Sequence, residues 1–228
     1  MKKLHFIIIA MVASLLLIGG QTYGQARKVS PASKGSVKGD IIKPVEAKDA
    51  AKMADKLTSE GWKTDKYTIK EQLISTWTLM SEFNEKTSTS KYAFAHTVNT
   101  LENLRDAKEK NYMDAMDRLG QQLMAPIALH CKAVMIQKNL KPEQEKEMLQ
   151  ILMNIPNATI QRMSKKSMEI YVEKNNSYTV ETYFFVDKDE TLEAIQTDCI
   201  NYCKGKSMDK TYISILEVAF KNLKTKKF

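Results

Sequence analysis

The chain has 228 residues, of which 43% are hydrophobic and 27% charged, and its formal net charge is +8 at pH 7. This length and apolar content suffice for one domain with its own core, and three cysteines are too few for a disulfide-stapled scaffold. Four arginines and many lysines interspersed with acidic residues argue against a nucleic-acid partner, because phosphate and base recognition favours clustered arginine. Weak contact with anionic surfaces stays open.

Residues 1–24 have the pattern of a cleaved secretory signal peptide. Two lysines precede an apolar run over residues 6–18, and the small residues Thr22 and Gly24 stand before a cleavage site at Gln25. The run is shorter than the roughly 20 residues of a membrane span, and no cysteine lies near the cleavage site to carry a lipid. We therefore expect an exported protein without a transmembrane span, periplasmic or secreted, with peripheral outer-membrane association left open.

Composition divides the mature chain into three parts. Residues 25–44 are rich in proline, glycine, serine and lysine and are predicted to be a flexible linker, because they bury too little apolar surface to offset the entropy of ordering. Residues 45–220 are predicted to form a single domain, and residues 221–228 a basic tail.

Two helices are predicted at the start of the domain. Apolar residues recur at helical spacing over 50–57, and Gly61 then suits a left-handed helix end with Trp62 covering the last turn. Thr68 followed by Glu71 is a capping-box pattern for the second helix, which we expect to end in the polar run 84–90.

A strand and a long helix follow. Large residues alternate with small ones over 92–98, which predicts a strand. Asn99 and Glu102 are predicted to cap a long helix whose apolar stripe runs over residues 101–134. Pro126 lies inside this helix and predicts a kink.

The remaining chain predicts a helix, a hairpin and two further helices. Pro142 is placed to begin the first of these helices, and Asn154 and Pro156 to end it. Alternating residues over 168–172 and 178–186 predict two strands.

The turn over residues 174–177 contains two asparagines, which tolerate the positive φ angles of tight hairpins. Asp187 with Glu190 is predicted to cap the next helix, Gly205 to end it, and residues 209–223 to form the last. One strand plus one hairpin gives a three-stranded antiparallel sheet with the helices on one face, an α+β fold.

The cysteines and histidines allow several interpretations of their role. Cys131, Cys199, Cys203 and His130 could supply zinc ligands, but the spacing is poor and two of the cysteines fall on apolar stripes. We expect buried thiols and no metal, with a disulfide from Cys131 to one of the other two as the alternative. Packing roles are expected for His130 and for His96.

Catalytic motifs are absent from the sequence. Ser88 with Lys91, and Ser207 with Lys210, match the serine-lysine spacing of penicillin-binding proteins, but the companion motifs of that site are missing. There is no zinc-protease motif, no nucleophile elbow and no phosphate-binding glycine loop. We therefore assign no catalytic residue, no cofactor and no cofactor-binding residue.

Two groups of residues could serve binding. Trp62, Tyr67 and Trp77 are predicted to cluster, either as core or around an apolar or sugar ligand. Methionines on the long helix and beyond could form a binding surface, although methionine at helical spacing more often packs in a core. These methionines are Met113, Met116, Met124, Met135, Met148, Met153, Met163 and Met168.

Short motifs carry a family resemblance. They are Glu-Gly-Trp-Lys at 60–63, Glu-Gln-Leu at 71–73 and Ser-Thr-Trp at 75–77. With the signal peptide, the long helix and the late hairpin, they resemble uncharacterised secreted α+β proteins of Bacteroidota-type Gram-negative bacteria, and more distantly small outer-membrane lipoproteins. The chain departs from the lipoproteins in lacking the lipid-bearing cysteine, and the resemblance implies no site residues.

Three functions follow as hypotheses. The leading one is a non-enzymatic protein-interaction or structural module of the cell envelope, which binds other envelope proteins or itself. The second is a periplasmic ligand-binding module that uses Trp62 and Trp77. The third is a hydrolase whose paired carboxylates have no sequence signature.

Overall fold

The computed structural model describes residues 44–85 and 89–225, so the predicted signal peptide and nearly all of the predicted linker lie outside the described residues. The helices are α1 (Pro44–Ser59), α2 (Ile69–Ser81), α3 (Leu104–Gln137), α4 (Pro142–Met163), α5 (Lys188–Gly205) and α6 (Lys210–Thr225). The strands are β1 (Phe83–Asn84), β2 (Thr89–Ser90), β3 (Tyr92–Leu101), β4 (Lys165–Lys174) and β5 (Ser177–Asp187). The fold is α+β, as predicted, and no helix in the described part of the chain is long and apolar enough to cross a membrane.

Helix ends encoded by local motifs lie where the sequence places them. Thr68 and Glu71 form the complete capping box, with the Glu71 amide donating to the Thr68 hydroxyl and the Thr68 amide to the Glu71 carboxylate. Gly61 has φ of 89°, and the Trp62 amide donates to the carbonyl of Leu57, as a Schellman ending requires. These groups are neighbours in sequence, so no tertiary contact is needed to define them.

The asparagines of the late hairpin also behave as predicted. Asn175 and Asn176 have φ angles of 53° and 58°, the left-handed values of a two-residue turn between β4 and β5. At the far end of β5, the Asp187 carboxylate accepts a hydrogen bond from the Glu190 amide and caps α5, again as predicted.

The predicted end of α4 is wrong, because α4 continues through Pro156 to Met163. Proline removes one backbone hydrogen bond from the helix, but tertiary contacts hold the residues beyond it. Thr159 and Ile160 are buried, and the Thr159 hydroxyl donates to Asp198 of α5 over 2.6 Å. Packing against α5 therefore outweighs the local helix-breaking signal.

The predicted strand-to-helix boundary near residue 100, with Asn99 as a helix cap, is also wrong. β3 extends to Leu101, and Asn99 lies within it, where its amide donates to Asn111 and Asp114 of α3. The residue that caps α3 is Asn103, whose side chain accepts a hydrogen bond from the Arg105 amide.

Two other boundaries shift as well. α2 ends at Ser81, and part of the polar run that was expected to end it forms the short antiparallel pair β1–β2. α6 continues into the predicted basic tail as far as Thr225.

The helix after β5 ends in an unexpected conformation. Gly205 is its last helical residue, and the left-handed position belongs to Ser207, with φ of 52°. The amides of Ser207 and Met208 donate to the carbonyls of Lys204 and Cys203, which completes a Schellman motif. A side chain thus occupies a conformation that glycine adopts at lower cost.

We expect Ser207→Gly to raise the free energy of unfolding by about 1 kcal/mol, because it removes the strain between Cβ and the backbone in the left-handed region. Urea denaturation measures the change. The matched control is Ser214→Gly inside α6, where φ is helical and glycine should lower stability by about 0.5–1 kcal/mol. Equal changes in the free energy of unfolding for both variants would contradict the conclusion that Ser207 is strained in the left-handed conformation.

The sheet has strand order β3–β5–β4, and all its strand pairs are antiparallel. α3 packs on the inner face against β3 and β5, and the bundle of α3, α4, α5 and α6 contains the larger core. α2 packs on the opposite face over β4, and α1 packs on α2. The second core between them contains Ala50, Ala54, Ile69, Leu73, Met168 and Ile170. Helices therefore cover parts of both faces, which corrects the prediction of helices on one face.

β3 buries its small side chains. Ala93, Ala95 and Thr97 point towards α3 and are 1–3% exposed, whereas the larger Phe94 and His96 point to the opposite face. Alanine on the inner face lets α3 lie close to the strand, and the aromatic residues are left on the side that α1 and α2 cover only in part.

Candidate functional site

The outer face of the sheet carries an aromatic surface beside α2. It is formed by alternate residues of β3 and by their cross-strand neighbours on β5, and we call it the outer aromatic face. Its members are Tyr92, Phe94, His96, Val98, Tyr183 and Phe185. Strand alternation places all six on one side, because side chains two residues apart share a face.

The rings of the outer aromatic face contact one another across the two strands. Phe94 lies opposite Phe185, with ring centroids 5.9 Å apart, and His96 stacks on Tyr183 at 4.3 Å. Tyr92 meets Phe185 edge-on at 5.4 Å. These contacts hold the rings in a fixed array, so a partner could bind them with little loss of side-chain entropy.

Charged groups border this array. The Nε2 atom of His96 lies 2.9 Å from Oε1 of Glu181. Burial, together with the negative charge of Glu181, disfavours the phenolate and raises the pKa of Tyr183 to about 12. At the other end, the ammonium of Lys91 lies 4.9 Å from the ring centre of Tyr92. Val98 is 50% exposed at the end of the face beyond His96, opposite Glu181. An apolar centre with polar edges is the usual composition of a protein-binding surface.

The open edge of β3 is occupied by side chains of α3. Gln122 donates to the carbonyl oxygen of Phe94 over 2.8 Å, and Arg118 donates to that of His96. Edge carbonyls are the groups that an added strand would pair with, so these bonds oppose strand addition.

The edge of β4 is closed in a similar way. Lys63 and Tyr171 exchange two backbone hydrogen bonds of 2.7 and 2.9 Å, and the Gln72 side chain accepts from the Glu169 amide over 2.7 Å. With both edges engaged, the face of the sheet is the surface that the fold leaves available for recognition.

A cluster of charges joins α3, β4 and the loop before α2. The ammonium of Lys108 pairs with Asp65 and lies 3.2 Å from Glu169, which also pairs with Lys166 at 2.7 Å. Hydrogen bonding to Lys108 lowers the pKa of Asp65, and burial tends to lower the pKa of Lys108 but the two carboxylates raise it overall. Each charge has a counter-charge, as expected of groups that hold elements together.

The predicted tryptophan cluster is distributed differently. Trp62 and Trp77 are half-buried and pack against the second core, whereas Tyr67 is 67% exposed. The two indoles therefore serve as packing groups, which weakens the prediction that they line a ligand site.

The cysteines are buried free thiols. Cys131, Cys199 and Cys203 are each 0% exposed, and burial raises the pKa of Cys131 and of Cys199 to about 12. His130 is also buried. The described residues contain no group of three or more His, Cys, Asp or Glu side chains that could hold a metal ion. Neutral thiols in an apolar core are the packing residues that the sequence favoured.

The methionines divide between core and surface. Met116, Met135, Met148 and Met168 are buried in the two cores. Met113 and Met153 are more than half exposed and lie on different helices. Most of the predicted methionine surface is therefore core.

The fold and this surface define a class: an α+β domain with closed sheet edges and an aromatic face that its helices leave partly uncovered. Comparison with known proteins gives no match to a family model, a curated sequence or a solved structure. The sequence contained one signal for the site, the alternation over residues 92–98, which predicts a strand. It did not indicate which face of that strand would be buried in the core.

Proposed function

We propose that this protein is a non-enzymatic interaction module of the cell envelope, exported by its N-terminal signal, and that it binds another envelope protein through the outer aromatic face. The observation that carries the proposal is the array of Tyr92, Phe94, Phe185 and the His96–Tyr183 pair on a part of the sheet that α2 leaves open. A few well-packed side chains carry most of the binding energy of a protein interface, and tyrosine is one of the residues enriched among them.

The arrangement of acidic residues supports binding over hydrolysis. Two-carboxylate hydrolysis needs two acidic groups facing one substrate. Of three clefts in the described region, one has a single carboxylate, Asp189, and one has only Glu147, which accepts a hydrogen bond from Tyr212. The third, an open groove at the hairpin turn, contains Glu60 and Glu173, but Lys63 and Lys174 line it as well, and Glu60 also pairs with Lys56 at 3.8 Å. The carboxylates of Asp65, Asp198 and Glu169 each lie against a cationic side chain.

Site-specific photo-crosslinking in cells of the native host tests the proposal. A photoreactive amino acid at Val98 lies at the exposed end of the outer aromatic face next to His96, and the same group at Val218 of α6, 38% exposed, is the control. We expect Val98 to give a discrete covalent adduct and Val218 to give none. Substituting Phe94 by serine should reduce the Val98 adduct severalfold, because it removes one ring of the array.

The mass of the adduct separates the possible partners. A second polypeptide supports the proposal, and a mass of twice the chain indicates self-association through the same face. Equal adduct yields at Val98 and Val218, or a yield unaffected by Phe94→Ser, would contradict it.

A further inference from the structure

A cavity of about 320 Å³ lies between the inner side of the sheet and the helices. Its apolar wall comes from β3, α3, α5 and α6. The residues of this wall are Ala93, Leu123, Pro126, Leu192 and Leu223. At roughly 30 Å³ for each non-hydrogen atom in a liquid, the volume corresponds to about ten such atoms.

Lys188 forms part of the cavity wall, and none of the described residues neutralises its charge by direct contact. Among the described residues its ammonium has no hydrogen-bond or ion-pair partner, and burial lowers its pKa, although Asp189 opposes the shift. Lys188 is also the first residue of α5, where the positive end of the helix dipole disfavours a cation.

The other charged groups that line the cavity are already engaged. Lys91 lies 3.4 Å from Glu82 and 3.9 Å from Asp187. Asp189 accepts a hydrogen bond of 2.5 Å from the Asn84 side chain. Lys188 is therefore the cation of the cavity wall that lacks a paired carboxylate, whereas Asp189 bonds to a neutral amide and keeps a negative charge that would repel an anion placed beside it.

We propose that this cavity binds a small monocarboxylate with an aliphatic chain, whose carboxylate pairs with Lys188 and whose chain lies against the apolar wall. Octanoate has ten non-hydrogen atoms and matches the volume. The inference goes beyond the proposed interaction function. The apolar wall of the cavity lies on the inner face of the sheet, and Lys91 borders both sites.

Titration of the whole mature chain with octanoate, followed by backbone amide chemical shifts in NMR spectra, tests the inference. We expect saturable shifts at Ala93, Leu123 and Leu192. Octan-1-ol carries the chain without the charge, and acetate carries the charge without the chain, so both should bind more weakly than octanoate. An absence of saturable shifts at these residues below the micelle concentration of octanoate would overturn the proposal.

Two variants test the charge. Lys188→Met and Lys188→Gln should each weaken octanoate binding about tenfold, because a partly buried charge-assisted contact is lost, and leave octan-1-ol binding unchanged. The matched control is Lys210→Met, which replaces the exposed first residue of α6 and should leave octanoate binding unchanged. Unchanged octanoate affinity in folded Lys188→Met and Lys188→Gln would overturn the role of Lys188. None of these changes should alter crosslinking at Val98, so the two proposals fail separately.

Discussion

Asn111→Ala is expected to lower the free energy of unfolding by about 3 kcal/mol, because Asn111 is a fully buried polar side chain that joins α3 to both neighbouring strands. Its amide donates to the Val180 carbonyl over 2.9 Å and to the Thr182 hydroxyl over 3.0 Å, and its side-chain oxygen accepts from Asn99 over 2.6 Å. Alanine leaves these groups short of partners in a site without water access. Chemical denaturation with a constant m-value measures the loss.

Asn103→Ala is the control for this result. Asn103 caps the same helix by accepting a hydrogen bond from the Arg105 amide over 2.8 Å, but it does so in solvent. Its loss should cost about 1 kcal/mol. Equal losses for Asn103→Ala and Asn111→Ala would show that the buried network contributes no more than a helix cap.

Ala95→Leu is expected to cost about 3 kcal/mol, because overpacking forces apart elements that cannot move freely. Ala95 is 1% exposed and lies in the core with Ala115 and Leu119 of α3. The bonds from Arg118 and Gln122 to the carbonyls of β3 hold the helix at its present distance. A larger side chain must therefore strain its own rotamer or break those bonds.

Phe94→Ala is the informative comparison, since Phe94 directly precedes Ala95 and points to the opposite face of the sheet. Its ring is half-buried, so we expect a loss of about 1 kcal/mol, well below the 3–5 kcal/mol of a fully buried phenylalanine. Thermal and urea unfolding should therefore show a larger loss of stability for Ala95→Leu than for Phe94→Ala. The reverse order would show that the outer aromatic face is core.

Much of the element pattern could be predicted because its determinants are local. The capping pair Thr68 and Glu71, the glycine ending at Gly61 and the two asparagines of the hairpin act within a few residues of one another. Such groups satisfy or redirect the backbone whatever packs around them. Their positions in the sequence were therefore sufficient to predict these helix ends and the hairpin turn.

The predictions that were wrong depended on distant residues. Proline at 156 predicted a helix end, but Asp198 on α5 holds the next turn through Thr159 and Arg162. Asn99 had the sequence context of a helix cap, but it bonds to α3 from within β3. In both cases a side chain more than ten residues away in sequence stabilises the observed conformation. Local sequence patterns do not identify such distant partners.

The sequence by itself determined the α+β class, the number of strands in the main sheet and most helix starts, because periodicity and capping are properties of short segments. Only the tertiary structure decided which side of β3 is buried. Both sets of alternating residues are apolar enough to form a core, and the close approach of α3 selects Ala93 and Ala95 because their small size fits. The aromatic residues are thereby left on the partly open face, and the surface proposed for binding is a consequence of that packing.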